Sequence, residues 1–203
     1  MAVDAVAQLV DATSDLEIGL LVYNAGATHG AAWFHDAATD SHVGLVRLNC
    51  IGPLLACHHF GGAMLERGRG GILLVGSMSG TAGSAMNVTY SAAKAFEQVL
   101  AEGLWAEMRP CGVDVLALVA GATNTPAMER SGALSGSSDF APVEPDEVAR
   151  EGIANLDNGP VSVAGDQNRA GFDYLRRVPR RDAVNVLSQA TRTVWGLDPE
   201  PPD

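Results

Sequence analysis

Short apolar runs alternate along this chain with longer stretches of helical periodicity, and that alternation predicts its elements. Residues 1 to 13 carry Val3, Val6, Leu9 and Val10 on one face, as the end of an amphipathic helix does. Ile18 to Tyr23 is an apolar run closing in Asn24-Ala25-Gly26, the pattern of a buried parallel strand running into a loop. From Ser41 to about Leu65, the apolar residues Val43, Val46, Ile51, Leu54 and Leu55 predict a long helix. Asn49 is its polar exception, and Pro53 is expected to bend it or free a carbonyl. Gly70-Gly71 punctuates, and Ile72 to Val75 predicts a second buried strand ending at Gly76-Ser77. A small-residue loop from Met78 to Thr89 then leads into a helix from about Tyr90 to Met108, stopped by Pro110 and Gly112. Val113 to Val119 predicts a third strand. Ala127 to Pro142, rich in Ser and Gly, predicts a mobile lid. Pro145 to Leu156 predicts a helix with Asp146 and Glu147 at its positive end. Val161 to Ala164 predicts a short fourth strand, and Asp182 to Trp195 a final helix.

Strands separated by helices pair in parallel, and ligands gather at the carboxyl ends of such strands. Three of the four predicted strands end in polar or Gly-rich turns. The expected fold class is therefore α/β with a parallel sheet, in a single domain of 203 residues. Its divisions are a core with the chemical motifs at 1–126, a substrate lid at 127–145 and a C-terminal helix–strand–helix at 146–203.

The candidate chemistry centres on Tyr90-Ser91-Ala92-Ala93-Lys94, read with Ser77 thirteen positions upstream. On a helix, Tyr90 and Lys94 are one turn apart and point the same way. A phenol is a poor base at neutral pH, but a neighbouring ammonium favours the phenolate, which suits Tyr90 to exchange a proton with a carbonyl or alcohol oxygen. Ser77, at a strand end, is placed to hold that oxygen by hydrogen bond. Lys94 is the only lysine against twelve arginines, so the chain keeps a compact ammonium at this position alone. An ordinary surface pair is the plainer alternative for an isolated Tyr and Lys four apart. Ser91-Ala92-Ala93-Lys94 also spells the Ser-x-x-Lys of acyl-serine hydrolases, but those enzymes need a second lysine.

A formal net charge of −11 argues against a nucleic acid or an anionic membrane as partner. The cluster Arg176, Arg177, Arg180 and Arg181 is expected on a solvated helix edge. Three cysteines do not make a disulfide framework, and Cys50 and Cys57, beside His58 and His59, lack the ligands and spacing of a zinc site. No apolar run reaches the roughly 18 to 20 residues of a membrane span, and the N-terminus lacks a leader pattern. The expected location is cytoplasmic.

Taken in order, Asn24-Ala25-Gly26, Asn49, Ser77, Tyr90-x-x-x-Lys94 and Gly121 to Thr125 resemble the short-chain dehydrogenase/reductase family over about residues 1 to 165. The resemblance implies the C-terminal part of that fold, a partial Rossmann-like, doubly wound parallel sheet. It also implies an oxidoreductase that transfers a hydride between NAD or NADP and a ketone or secondary alcohol. By it, Tyr90 is the general acid/base and Ser77 anchors the substrate oxygen. Lys94 holds the nicotinamide ribose and stabilises the Tyr90 phenolate, while Asn49 holds a water relaying protons to Lys94. Asn24, Ala25 and Gly26 would line the nicotinamide side of the cleft, and Gly121, Thr123 and Thr125 would contact the cofactor. The plainer alternatives are a satisfied polar residue in a helix for Asn49 and helix capping for the threonines. The helices at 41–65 and 90–108 look like the pair through which the family forms homo-oligomers.

This chain departs from the family pattern at Tyr23, Gly76 and Ala120, where the family often has Asn, Ser and Pro. The larger departure is at the front, where the Gly-rich phosphate loop Thr-Gly-x-x-x-Gly-x-Gly has no counterpart. A full relative would carry two further strand–helix units and a strand before position 1, so the chain is expected to be truncated. The strand at 18–23 then becomes an apolar edge, and the 203 residues are expected to fold poorly or self-associate. The alternative function is a non-catalytic remnant that acts only as a structural or oligomerisation partner.

Overall fold

Four parallel strands form the centre of the molecule, β1 (Leu20–Tyr23), β2 (Gly70–Ser77), β3 (Val113–Ala120) and β4 (Val161–Val163), hydrogen-bonded in that order. The computed structural model describes residues 2–131, 133 and 142–197. Helix α1 (Ala2–Ala12) precedes the sheet. Helices α2 (Thr39–Val46) and α3 (Gly52–Arg67) cross from β1 to β2, and α4 (Val88–Met108) crosses from β2 to β3. Helices α5 (Pro126–Ser131) and α6 (Pro145–Ala154) lie between β3 and β4, and α7 (Asp166–Arg177) and α8 (Arg180–Trp195) end the chain. The register sets Tyr23 beside Leu74 and Ser77 beside Ala120, so successive strands deliver their carboxyl ends to one edge. This is the expected partial Rossmann-like parallel sheet.

The central strands are apolar on both faces because helices cover both. On one face Ile72, Leu74, Val113 and Val115 pack with Phe60 and Met64 of α3 and with Ala101 and Met108 of α4. On the other, Leu73, Leu116 and Leu118 meet Val148 of α6. Burying each of the larger side chains contributes about 1.5–3 kcal/mol.

The long helix expected at 41–65 is not one α-helix. A five-residue π-helical turn, Arg47–Ile51, joins α2 to α3, and Pro53 explains it. Proline has no N–H and its ring collides with the carbonyl four residues back, so the helix widens and Gly52 N–H bonds Arg47 O. In that wider register the amide of residue 53 would serve the Leu48 carbonyl, and proline offers none. The Tyr23 hydroxyl donates to Leu48 O instead, at 2.8 Å. Gly52 leaves room for it, since a Cβ there would collide with the Tyr23 oxygen. Burial pushes the Tyr23 phenol up to about 12, so it stays a donor. Tyr23→Phe is expected to strand this carbonyl and cost about 1–3 kcal/mol, read as a lower urea midpoint at unchanged slope.

Other boundaries also move. Gly70-Gly71 opens β2 and does not interrupt it. A Cβ on Gly71 would sit 2.8 Å from the Leu156 side chain, so close packing accounts for that glycine. The expected loop after Ser77 begins with a 3₁₀ turn, Met78–Gly80. Helix α7, on which only Phe172 and Leu175 are buried, is an addition to the expected elements, so the C-terminal part is helix–strand–helix–helix. The arginine cluster is exposed at all four positions, as a solvated helix edge is, and Arg180 also donates to Thr81 O at 2.7 Å. Of the expected lid, Pro126–Ser131 forms α5, and residues 132 and 134–141 lie outside the described residues.

β1 is an edge strand whose Leu20 and Val22 are 40% and 45% exposed. An apolar strand edge of this kind pairs with other chains. Self-association is the expected behaviour of the chain, and Val22→Lys is expected to shift its sedimentation profile toward monomer.

Candidate active site

The sheet's carboxyl edge gathers most of the residues singled out from the sequence. Asn24, Ala25 and Gly26 follow β1, Ser77 ends β2, and Gly121, Thr123 and Thr125 follow β3. Tyr90 and Lys94 occupy the first two turns of α4, and Asn49 sits in the π-helical turn.

Lys94 lies on the same side of α4 as Tyr90, its Nζ 5.9 Å from the centre of the Tyr90 ring. Asn49 and Lys94 converge on Gly26. A Cβ there would lie 3.0 Å from Asn49 Oδ1 and 3.2 Å from Lys94 Nζ, so a bare backbone is needed at this point. Asn49 Nδ2 donates to Leu45 O at 3.1 Å and to Ala27 O at 3.2 Å, tying the loop after β1 to the π-helical turn. Half of the amide is therefore the satisfied helix residue of the plainer alternative. The other half is not, because Asn49 Oδ1 is buried without a hydrogen-bond partner. A buried polar atom left so costs about 1–3 kcal/mol.

Ser77 and α4 are held together by Gly80. A Cβ on Gly80 would lie 2.7 Å from the Lys94 carbonyl carbon, so the turn after Ser77 lies directly on the helix at Lys94. Ser77 Oγ accepts from Ser79 N–H at 3.2 Å, a bond that does not use its own proton. Tyr90 and Ser77 are both half-buried.

The residues after β3 are committed locally. Thr123 donates to Gly121 O at 3.1 Å, and Thr125 accepts from Met128 N–H at 3.2 Å, which is the capping alternative for Thr125. Gly121 makes room for the Asn168 amide of α7. Ser91 is 2% exposed, so no acyl donor can reach it and the hydrolase alternative falls. Burial pushes the Cys57 thiol up to about 12, leaving it inert. Among the described residues no three His, Cys, Asp or Glu converge as metal ligands. Nor is any described helix long and apolar enough to cross a membrane.

Glu97, which the sequence analysis passed over, is fully buried and forms an ion pair with Lys94 at 2.8 Å. Burial pushes its carboxyl up to about 7, against the pull of the ammonium. A signal for it existed. Ser91, Lys94, Glu97 and Ala101 share one face at helical spacing, so a lysine expected to face inward places an acid three residues later beside it.

A family model described as short chain dehydrogenase matches residues 1–134. The chain is 28% identical over 186 residues to the 7beta-hydroxysteroid dehydrogenase of Clostridium sardiniense, an alignment covering 92% of this chain and 71% of that one. Its fold superposes on a solved 7beta-hydroxysteroid dehydrogenase with a TM-score of 0.79 at 24% identity, over 90% of this chain and 71% of the other. A short-chain dehydrogenase from Sphingobium yanoikuyae, in complex with NADPH, superposes with a TM-score of 0.73 at 26% identity, over 84% and 67%. Because the family match runs through the ends of β1, β2 and β3, the π-helical turn that carries Asn49 and the helix that carries Tyr90 and Lys94, the chain belongs to the short-chain dehydrogenase family.

Proposed function

We propose that this chain is an NAD(P)-dependent oxidoreductase acting on a ketone or secondary alcohol, with Tyr90 as general acid/base. The observation that carries this is the meeting of Asn49 Oδ1 and Lys94 Nζ at the bare backbone of Gly26, with Tyr90 one turn away. These residues fit the nicotinamide half of a dinucleotide, because a buried acceptor without a donor and an ammonium face a segment of chain that has no side chain. Asn24, Ala25, Gly26 and Lys94 would hold that half, with Gly121, Thr123 and Thr125 beside it. Bound NAD or NADP would supply a hydride to the substrate carbon or take one from it.

In reduction Tyr90 donates its phenolic proton to the carbonyl oxygen, and in oxidation it withdraws the alcohol proton. Ser77 donates a hydrogen bond to the same oxygen and fixes it against Tyr90. Lys94 stabilises the phenolate form, and Asn49 Oδ1 accepts from a water that passes protons toward Lys94. The named activity of the Clostridium relative, dehydrogenation of a hydroxysteroid, agrees with a secondary alcohol as substrate.

The alternative, a non-catalytic partner, is favoured by exposed apolar residues on the two helices assigned to oligomerisation, among them Leu54 of α3 and Val99 of α4, 40% and 65% exposed. Both readings allow a homo-oligomer. Titration with NADH and NADPH, followed by fluorescence quenching, separates them. Saturable quenching with either supports the oxidoreductase, and none with both supports the structural partner.

A further inference from the structure

Glu97 is a buried acid for which the chemistry above has no use. It stands one turn beyond Lys94 on α4, and it is 1% exposed. Three other elements bring titratable groups to it: Tyr23 of β1, Cys50 of the π-helical turn and Cys57 of α3, each of which feels its charge. None of these is a cation, and Lys94 is the partner that draws the carboxyl toward its charged form. Lys94 Nζ donates to Glu97 Oε1 at 3.0 Å, to Glu97 Oε2 at 2.8 Å and to Val75 O at 3.0 Å. An ammonium has three N–H donors set wide apart, and the two oxygens of one carboxylate lie too close together to take one each, so a single N–H is shared between them, a second serves Val75 O and one is left. Two of the three are thus taken before the Tyr90 hydroxyl or a ribose arrives.

We propose that Glu97 is a positioning residue that aims Lys94, and that Lys94 turns more of its donors to Tyr90 and the nicotinamide ribose when proton uptake by Glu97 loosens this buried ion pair. The ion pair stands by itself, whereas its consequence for catalysis rests on the function proposed above. A protonated carboxyl is a weaker acceptor than a carboxylate, so protonation returns at least one ammonium donor to the cleft. The same proton is linked to stability. The carboxyl is raised in the folded chain from 4.5 to about 7, so the folded state keeps a proton that the unfolded chain has released. The contribution of Glu97 therefore makes stability fall as pH rises from about 4.5 to about 7, and it is level outside that window.

Because the chain has one lysine, growth on lysine labelled with carbon-13 at Cε gives a single side-chain resonance, that of Lys94. In the wild-type chain this resonance is expected to step near pH ~7 as Glu97 titrates beside it. Glu97→Gln is expected to remove the step and to flatten the fall in melting temperature across the same window. A neutral amide holds an ammonium less tightly than a carboxylate does. NADH or NADPH is therefore expected to bind the Glu97→Gln chain about three- to tenfold more tightly at pH ~8, with the advantage shrinking toward pH ~6. Glu97→Asp keeps a carboxylate and is expected to keep a step, which preserves the test if the amide variant does not fold. The proposal is overturned if the wild-type resonance shows no step, if the step survives in Glu97→Gln, or if that variant binds dinucleotide more weakly at every pH. Should neither protein bind NADH or NADPH at any pH, the dehydrogenase function and the release of Lys94 toward a ribose both fail. The lysine step then still reports whether Glu97 titrates against Lys94.

Discussion

Replacing Tyr90 by Phe is expected to abolish turnover, lowering the rate by at least ~10²–10⁴-fold, while dinucleotide affinity stays within about twofold. The change removes one oxygen. The ring stays half-buried in the first turn of α4, and Lys94, whose bonds go to Glu97 and Val75, loses no partner. What disappears is the proton donor in reduction and the proton acceptor in oxidation, so the loss belongs in kcat. Following NAD(P)H absorbance with a ketone substrate, beside a fluorescence titration of the dinucleotide, measures both quantities. Turnover within about tenfold of wild type would remove Tyr90 from the proton step.

Lys94→Arg is expected to fail almost as completely, although it conserves charge, with turnover down ~10²-fold or more and dinucleotide binding weakened. Lys94 is 5% exposed, and its Nζ fits between the Val75 carbonyl and both Glu97 oxygens on one side and the bare Gly26 backbone on the other. A guanidinium is wider and planar, and it cannot divide its donors among these directions from a single point. Pairing with Glu97 is expected to survive as an Arg–carboxylate bond, so the variant should fold with a modest drop in melting temperature. Wild-type turnover in this variant would show that charge alone suffices at position 94.

Much of the site was legible in sequence because its chemistry is local. Tyr90 and Lys94 are one turn apart whatever surrounds them, and Ser77 could be placed by the apolar run that it terminates. Glu97 escaped notice because its importance depends on which way Lys94 points, and an acid three residues from a lysine reads as an exposed helix pair until the core closes over it. Tyr23 was read as a departure from a family pattern. Its function as substitute donor for the missing amide of Pro53 required knowing that the helix widens by one residue at Arg47–Ile51. Helix α7 was missed for a related reason. Its apolar face is narrow, with Phe172 and Leu175 alone buried, although these suffice to seat the helix beside β4 and the turn after β2.

Apolar periodicity alone determined that this chain makes parallel strands joined by helices, because burying both faces of a sheet requires uninterrupted apolar runs and one-sided helices. Local spacing determined which hydroxyl and which amine share a helix face. Only the packed structure decided that Asn49, Lys94 and Gly26 meet, since these come from three segments whose approach depends on a widened helical turn and on glycines that allow backbone contact. Packing likewise decided that the lone ammonium is already held by a buried carboxylate, because desolvation and ion pairing depend on what surrounds a charge, and one-dimensional order does not record it.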